Sequence, residues 1–163
     1  MTRDYNKKAS HQGETVQWLV EHRLPDILAQ IQPSALNDPR PFVVADYGVA
    51  GGKNSLPAFE KVVEHVRRLN PRKEMLFFLE DIPENDYNIT LATFAEHFKN
   101  TPGVFTVTTG KSFYERVFPK DGVDLGMCFN ALHWLSAYPT TLPGYIMATP
   151  YIEDESVRDA WST

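Results

Sequence analysis

Two carboxylates and a glycine-rich turn are the residues of this 163-residue chain whose types and spacing could do chemistry. The stretch ADYGVAGGKNSL (45–56) follows a short apolar run and places Asp46 two residues before Gly48. A second acid, Asp81, comes just past the apolar run MLFFL. Glycine lets a ligand approach the backbone closely because it has no Cβ. The pattern indicates a ligand site, although a tight turn capped by its acids would need the same residue types.

The position of the first acid distinguishes two classes of cofactor. A carboxylate at the end of a second strand suits the vicinal hydroxyls of a ribose, which fits Asp81. A dinucleotide pyrophosphate is negatively charged and prefers a helix N-terminus without a carboxylate beside it. S-adenosylmethionine has no phosphate and carries a sulfonium and an amino group, so Asp46 favours it over NAD. The glycines Gly48, Gly51 and Gly52 also miss the G-x-G-x-x-G spacing, yet a nicotinamide-dependent oxidoreductase stays an alternative.

The apolar pattern predicts strands that alternate with helices. Strands are expected at 42–45, 75–79, 104–107 and 123–129, with a further one beginning at 147–149. Helices are expected at 14–32 with a break at Pro25, and at 57–69, 87–98 and 112–117. This order is typical of an α/β fold with a mostly parallel sheet, in which ligands bind beyond the carboxyl ends of the strands. The continuous run MLFFL predicts a strand buried on both faces.

The composition of the chain limits the classes of partner that it is expected to bind. A net charge of -5 argues against non-specific binding to nucleic acid or to an anionic membrane. The sequence has no apolar stretch long enough to span a bilayer and no N-terminal secretory signal. A single cysteine, Cys128, precludes an intramolecular disulfide and favours a reducing, cytoplasmic setting. The histidines show no metal-ligand spacing, so no metal is expected.

Four motifs together resemble the SABATH methyltransferases. ADYGVAGGKNSL, FLEDIPENDYN, SFYERVFP and NALHWLS occur in the order found in that family, and the resemblance runs from about Tyr5 to the C-terminus. SABATH enzymes transfer a methyl group from S-adenosylmethionine to carboxylates or ring nitrogens of small molecules. The resemblance therefore implies a Rossmann-like methyltransferase sheet, S-adenosylmethionine as cofactor and a small-molecule methyl acceptor.

The resemblance also implies roles for individual residues on the cofactor side. Asp46 would flank the methionine moiety, and Asp81 would hold the ribose hydroxyls. Ile82 and Phe113 would lie against adenine. The positions that match the family's cofactor residues are Asp46, Gly48, Asn54, Asp81, Ile82, Ser112, Phe113 and, in a segment whose spacing is off by one residue, Ser10.

Four further positions match the acceptor side of the family's site: Gln12, Asn130, His133 and Trp134. The indole N–H of Trp134 could hold a substrate carboxylate, whereas His133 could orient a nitrogen acceptor or take its proton. Asn130 stands where plant carboxyl methyltransferases often have tyrosine. The resemblance therefore leaves the acceptor, and O- versus N-methylation, open.

The chain is shorter than the resemblance requires. SABATH proteins continue through further strands and a helical cap over the acceptor, whereas this chain stops where that half should begin. We expect an N-terminal helical segment and connector (1–40) and a partial, truncated cofactor-binding domain (41–163). Such a sheet would expose an apolar edge, which predicts a homo-oligomer or a second chain that completes the fold. A non-catalytic binding module on the same fold is the alternative function.

Overall fold

The computed structural model describes the backbone of residues 10–129 and 131, with side chains from Gly13 onward. In chain order the elements are helix α1 (Ser10–His22), helix α2 (Leu24–Leu28), a 3-10 helix (Pro33–Asn37), strand β1 (Phe42–Tyr47), helix α3 (Leu56–Leu69), strand β2 (Met75–Asp81), helix α4 (Tyr87–Phe98), strand β3 (Val104–Gly110) and strand β4 (Leu125–Met127). All of them belong to the first of two compact units, which ends at Asn130. None of these helices is long and apolar enough to cross a membrane.

The strands form one parallel four-stranded sheet in the order β3-β2-β1-β4. The chain moves outward from β1 through β2 to β3 and then returns to place β4 on the other side of β1. The strand order thus reverses at β1, and the carboxyl end of a strand at such a reversal is where open α/β sheets bind ligands. The predicted parallel α/β fold is confirmed.

One face of the sheet carries the main core. Phe59 of α3 lies at the centre of this core. Its ring centroid is 4.5 Å from that of Phe77 in β2 and 5.0 Å from that of Phe94 in α4. The helical pattern predicted for α3 is confirmed, because its buried residues recur at helical spacing: Ala58, Phe59, Val62 and Val66. Helices α1 and α2 extend this core with Val16, Val20, Leu24 and Leu28.

The other face of the sheet is only partly covered. Phe118, from the loop before β4, packs edge-on against Tyr47 and Phe78. Phe105 of β3 is 52% exposed, and Val107 is also exposed. The prediction that MLFFL is buried on both faces is wrong, since burial alternates along β2 and Phe78 is only partly buried. Within residues 13–129, Phe105 and Val107 on this face therefore remain exposed to solvent.

The limits of several helices and strands differ from those predicted from the sequence. The predicted helix at 14–32 is two helices, and Pro25 stands in the first turn of α2, where proline needs no N–H partner. The predicted helix at 112–117 is wrong: Glu115 N–H donates to the Ser112 carbonyl in a single turn. Strands β1 and β2 run two residues further than predicted, and β4 is shorter. The strand predicted from 147 lies outside the described residues.

Candidate cofactor site

Three carboxyl groups meet at the carboxyl ends of β1 and β2. Tyr47 pairs with Glu80 in the parallel ladder, which places Asp46 and Asp81 on either side of that pair. The exposed fractions are 1% for Asp46, 0% for Glu80 and 6% for Asp81. Buried acids are rare in proteins unless they have partners, so this end of the sheet is chemically unusual.

The glycine-rich turn after β1 is fastened to the end of β2. The N–H groups of Gly48 and Val49 donate to the Glu80 carbonyl, at 3.0 and 2.9 Å. Gly48 N–H also lies 3.1 Å from Glu80 Oε2, and Ala50 N–H donates to Asp81 Oδ2 at 2.7 Å. The carboxylates of β2 thus fix the backbone of the turn by binding its N–H groups.

Three residues of the turn have a left-handed backbone, namely Gly48 (φ +76°), Ala50 and Gly52. Ala50 has φ +51°, which is unfavourable for a residue with a Cβ. Its carbonyl accepts hydrogen bonds from Thr90 Oγ1 at 2.6 Å and Asn85 Nδ2 at 3.0 Å, so partners on both sides hold that conformation. At Gly52 (φ +80°) an added Cβ would lie 2.7 Å from the Phe94 ring. Close packing against α4 therefore accounts for the glycine at 52, and no ligand contact is needed to explain it.

Asp46 is the least satisfied of the predicted site residues. Its Oδ2 accepts a hydrogen bond from the Ser55 hydroxyl, and its Oδ1 is buried without a partner. Burial raises the pKa of Asp46 to about 7; the Ser55 hydrogen bond opposes this rise, and the charges of Asp81 and Glu80 add to it. The carboxyl therefore titrates near neutral pH.

Glu80 is the residue that our sequence reasoning missed. One carboxyl oxygen accepts from Gly48 N–H, and the other, Oε1, is buried without a partner. Burial raises the pKa of Glu80 to about 7, against the Gly48 hydrogen bond and with a contribution from Asp81. The available signal was that Glu80 directly follows MLFFL, the run predicted to be a buried strand, and directly precedes Asp81.

Asp81 is held in one orientation by backbone groups. Its Oδ1 accepts from Ile82 N–H at 2.8 Å and its Oδ2 from Ala50 N–H at 2.7 Å. The Tyr87 hydroxyl lies within hydrogen-bond distance of the carbonyls of Asp81 (2.6 Å) and Thr109 (2.7 Å), which ties β2 to β3. An ionised carboxylate has about four acceptor positions, so two remain for ligand hydroxyls.

The predicted adenine-side residues lie next to Asp81. Ile82 follows it directly and is 44% exposed, so its side chain is accessible to a ligand. The N–H of Lys111 donates to the Asp81 carbonyl at 3.0 Å and so brings the following Ser112 and Phe113 to the end of β2. Both are partly buried in the turn after β3.

The start of α1 lies beside the glycine-rich turn. The side-chain oxygen of Asn54 is 3.6 Å from the position that a Cβ on Gly13 would occupy. Ser10 and Gln12 are in the first turn of this helix, but their side chains lie outside the described part of the chain. Asn130, His133 and Trp134 also lie outside it. The structure therefore brings together the predicted cofactor-side residues after residue 45, and the acceptor-side set stays a prediction.

The described residues fit a cationic ligand that has hydroxyl groups. No ion pair among residues 13–129 involves any of the three acids, and two of their oxygens have no hydrogen-bond donor. A pyrophosphate would meet repulsion here, whereas a sulfonium and an amino group would supply the missing positive charge. Within the same residues, no group of three or more His, Cys, Asp or Glu side chains could hold a metal ion.

Comparison with known proteins agrees with this chemistry. Residues 2–153 match the family model described as SAM-dependent carboxyl methyltransferase. The chain is 32% identical over 114 residues to loganic acid O-methyltransferase of Catharanthus roseus, which covers 67% of this chain and 30% of the relative. It is 32% identical over 139 residues to salicylate/benzoate carboxyl methyltransferase of Arabidopsis thaliana, which covers 77% of this chain and 36% of the relative.

A solved structure is similar as well. The structure titled "Loganic acid methyltransferase with SAH" superimposes with a TM-score of 0.71 at 27% sequence identity. The alignment covers 83% of this chain and 39% of that one, so the chain spans well under half the length of the proteins it matches. These findings confirm the resemblance predicted from the four motifs, together with its cofactor. The chain belongs to the SABATH family of S-adenosylmethionine-dependent carboxyl methyltransferases.

Proposed function

We propose that this chain is the cofactor-binding part of a methyltransferase that transfers a methyl group from S-adenosylmethionine to a small-molecule carboxylate. The observation that carries the proposal is the buried set of acids Asp46, Glu80 and Asp81 at the strand-order reversal, without an ion-pair partner in the described chain. That set selects against phosphate and suits a cation. Family membership supports the same cofactor.

Each group at the sheet edge takes part in binding or orienting the cofactor. The carboxylate of Asp81, which Ala50 and Ile82 N–H hold in place, would accept from the ribose hydroxyls. The exposed side chain of Ile82 would pack on adenine, together with Ser112 and Phe113. Asp46, two residues before Gly48, would face the methionine end. S-adenosylmethionine, when bound, supplies an electrophilic methyl group on a positively charged sulfur.

The acceptor needs little acid–base catalysis. A carboxylate is already ionised at neutral pH and can attack a methyl carbon without losing a proton. The protein must hold the two reactants in line and exclude water, and we assign the acceptor-side positions Gln12, Asn130, His133 and Trp134 to that task. Relatives of this chain are named for loganic acid, for salicylate and benzoate, and for gibberellic acid, all of them carboxylic acids.

The exposed apolar side chains on the second face of the sheet support the proposal that another polypeptide covers this face. Phe105 and Val107 are exposed beside the partly buried Phe78 on that face, and β3 and β4 are the edge strands of the described sheet. Surfaces of this kind are normally buried. We propose that a second copy or another polypeptide covers them, and that the assembly works in the cytoplasm, where a protein with a single cysteine is stable in reduced form.

Calorimetric titration of the purified chain with S-adenosylmethionine and with NAD tests the cofactor. The proposal predicts binding of S-adenosylmethionine, loss of at least tenfold in affinity in Asp81→Ala, and no effect of the exposed control Asp26→Ala. Preferential binding of NAD would instead support an oxidoreductase. A methyl-transfer assay over a panel of small carboxylic acids then identifies the acceptor. It is run with and without a second chain that carries the part of a relative this chain does not match.

A non-catalytic binding module is the second candidate, because the matched part of this chain corresponds to only 30% and 36% of two catalytic relatives. Such a module would bind S-adenosylmethionine with the same dependence on Asp81. It would form no methyl ester with any acceptor, even when the complementing chain is present. Product formation therefore separates the two functions, whereas cofactor binding does not.

A further inference from the structure

The two acids with unsatisfied oxygens, Asp46 and Glu80, lie one residue out of register on the adjacent strands β1 and β2. Each uses one carboxyl oxygen to accept a hydrogen bond, from Ser55 and from Gly48 N–H respectively. Each leaves its other oxygen buried and without a partner. Asp46 lies two residues before Gly48, and Glu80 accepts from Gly48 N–H, so both acids adjoin the turn where the cofactor's charged end is proposed to bind.

The surroundings of the pair contain acids and phenols. Asp81 from β2 raises the pKa of both carboxyls through its charge, after burial as the main cause. Tyr47 from β1 has its own pKa raised by burial and by Glu80. Tyr87 from α4 has a pKa raised to about 12, chiefly by burial and then by Asp81. In the described chain, no lysine, arginine or histidine forms an ion pair with either member of the pair.

A buried carboxylate without a counter-charge is strongly unfavourable. The free energy can be lowered in two ways: the acid takes up a proton, or a cation enters the site. With pKa values of about 7, both acids are close to the point where a nearby positive charge decides between these states. S-adenosylmethionine carries one positive charge more than its demethylated product, S-adenosylhomocysteine.

We infer that Asp46 and Glu80 form a proton-linked pair that is protonated in the empty site, ionises when S-adenosylmethionine binds, and thereby favours this cofactor over its neutral product. The inference rests on the proposed function. Glu80 is a positioning residue in it, because its carboxyl acts through the backbone of the Gly48 turn. The released protons go to solvent and return after methyl transfer, when the carbon–sulfur electron pair has neutralised the sulfonium.

Proton counting by calorimetry tests the pair directly. Each ligand is titrated at pH 6.5 in phosphate and in Tris, whose ionisation enthalpies differ, so the difference in heat reports the protons exchanged. We expect release of about one proton with S-adenosylmethionine and markedly less with S-adenosylhomocysteine. The affinity ratio of the two ligands should then rise by up to about tenfold between pH 6 and pH 8.

Glu80→Gln keeps the size of the side chain and removes its titration. We expect the variant to release fewer protons and to lose most of the pH dependence of the affinity ratio, whereas the exposed control Glu74→Gln should match the parent. If Glu80→Gln does not bind, Asp46→Asn is measured in the same way, and the pH dependence of unfolding is compared for the empty proteins. Identical proton counts for the two ligands would overturn the inference and leave the proposed function standing.

Two other outcomes would also overturn the inference that Asp46 and Glu80 act as a pair. Unfolding free energies of the parent and Glu80→Gln that change identically with pH would show that Glu80 holds no proton in the empty site. Loss of the proton release in Asp46→Asn alone would place the whole effect on Asp46. Failure of both ligands to bind the parent protein at every pH would instead remove the proposed cofactor function itself, and the inference with it.

Discussion

The two ends of the sheet differ in whether the oxygens and nitrogens of their charged side chains all have hydrogen-bond partners. At the amino ends of the strands, Lys73 is 5% exposed and its ammonium donates to the carbonyls of Asp38 and Arg40. Asp124 there accepts from both terminal nitrogens of the Arg40 guanidinium and from Val43 N–H. At the carboxyl ends, Asp46 and Glu80 each leave one carboxyl oxygen without a donor.

The difference separates a structural cluster from a functional one. Buried polar groups that are fully hydrogen-bonded stabilise a fold and leave nothing for a ligand to satisfy. Buried acids that lack partners cost free energy in the empty protein, and a ligand of opposite charge can recover that cost. The same sheet therefore has a closed end, which fixes the strands, and an open end, which can bind.

The largest expected effect lies at the closed end. Lys73→Met keeps the aliphatic stem and removes two charged hydrogen bonds, which leaves the carbonyls of Asp38 and Arg40 without that donor. We expect a loss of about 2–3 kcal/mol in the free energy of unfolding, measured by urea denaturation. Cofactor affinity should not change, and the exposed Lys61→Met is the control. A Lys73→Met protein as stable as the parent would contradict the structural role.

Gly52→Ala tests the packing of the open end on α4. The new Cβ would press on the Phe94 ring, and the left-handed backbone at 52 is unfavourable for alanine. We expect a destabilisation of about 1–3 kcal/mol in thermal or chemical denaturation. Gly51→Ala is the matched control, since residue 51 has no positive φ. Equal effects of the two substitutions would show that the Phe94 contact does not decide the result.

The pH dependence of stability tests the unsatisfied acids without any ligand. Glu80 has a pKa of about 7 in the folded chain against an ordinary value of 4.5. Between these values the folded protein binds more protons than the unfolded chain, so its stability falls as pH rises, by up to about 1.4 kcal/mol per pH unit for one acid. Denaturant curves from pH 4.5 to 8 should show this fall, and Glu80→Gln should reduce it. A stability that rises over this range would refute the assignment.

Ala50→Gly should have the smallest effect. Glycine adopts φ +51° without steric cost, but it adds conformational entropy to the unfolded chain. The backbone hydrogen bonds to Asp81, Thr90 and Asn85 are unaffected by the loss of a methyl group. We expect a change of less than about 1 kcal/mol in either direction, with cofactor affinity retained. A large loss of affinity would mean that the Ala50 methyl itself contacts the ligand.

Much of the fold followed from local pattern. Helical spacing predicted α3 and α4, and the apolar runs predicted β1, β2 and β3, because each of these elements buries one face or both against the rest. The helix expected at 112–117 did not form: its serine and aromatic residues are used in a turn that carries Phe118 onto Phe78. A pattern of a few apolar residues cannot distinguish these two outcomes, since it does not show which contacts from distant segments the residues will make.

By itself, the sequence determined the α/β order, the family, and the position of Asp46 and Asp81 at two strand ends. These depend on residue types and spacing along the chain. The tertiary structure decided that Glu80 is buried beside them, that Gly52 serves a contact with Phe94, and that two carboxyl oxygens have no donor. These depend on which groups from distant segments meet, because burial and hydrogen-bond satisfaction are properties of neighbours in space.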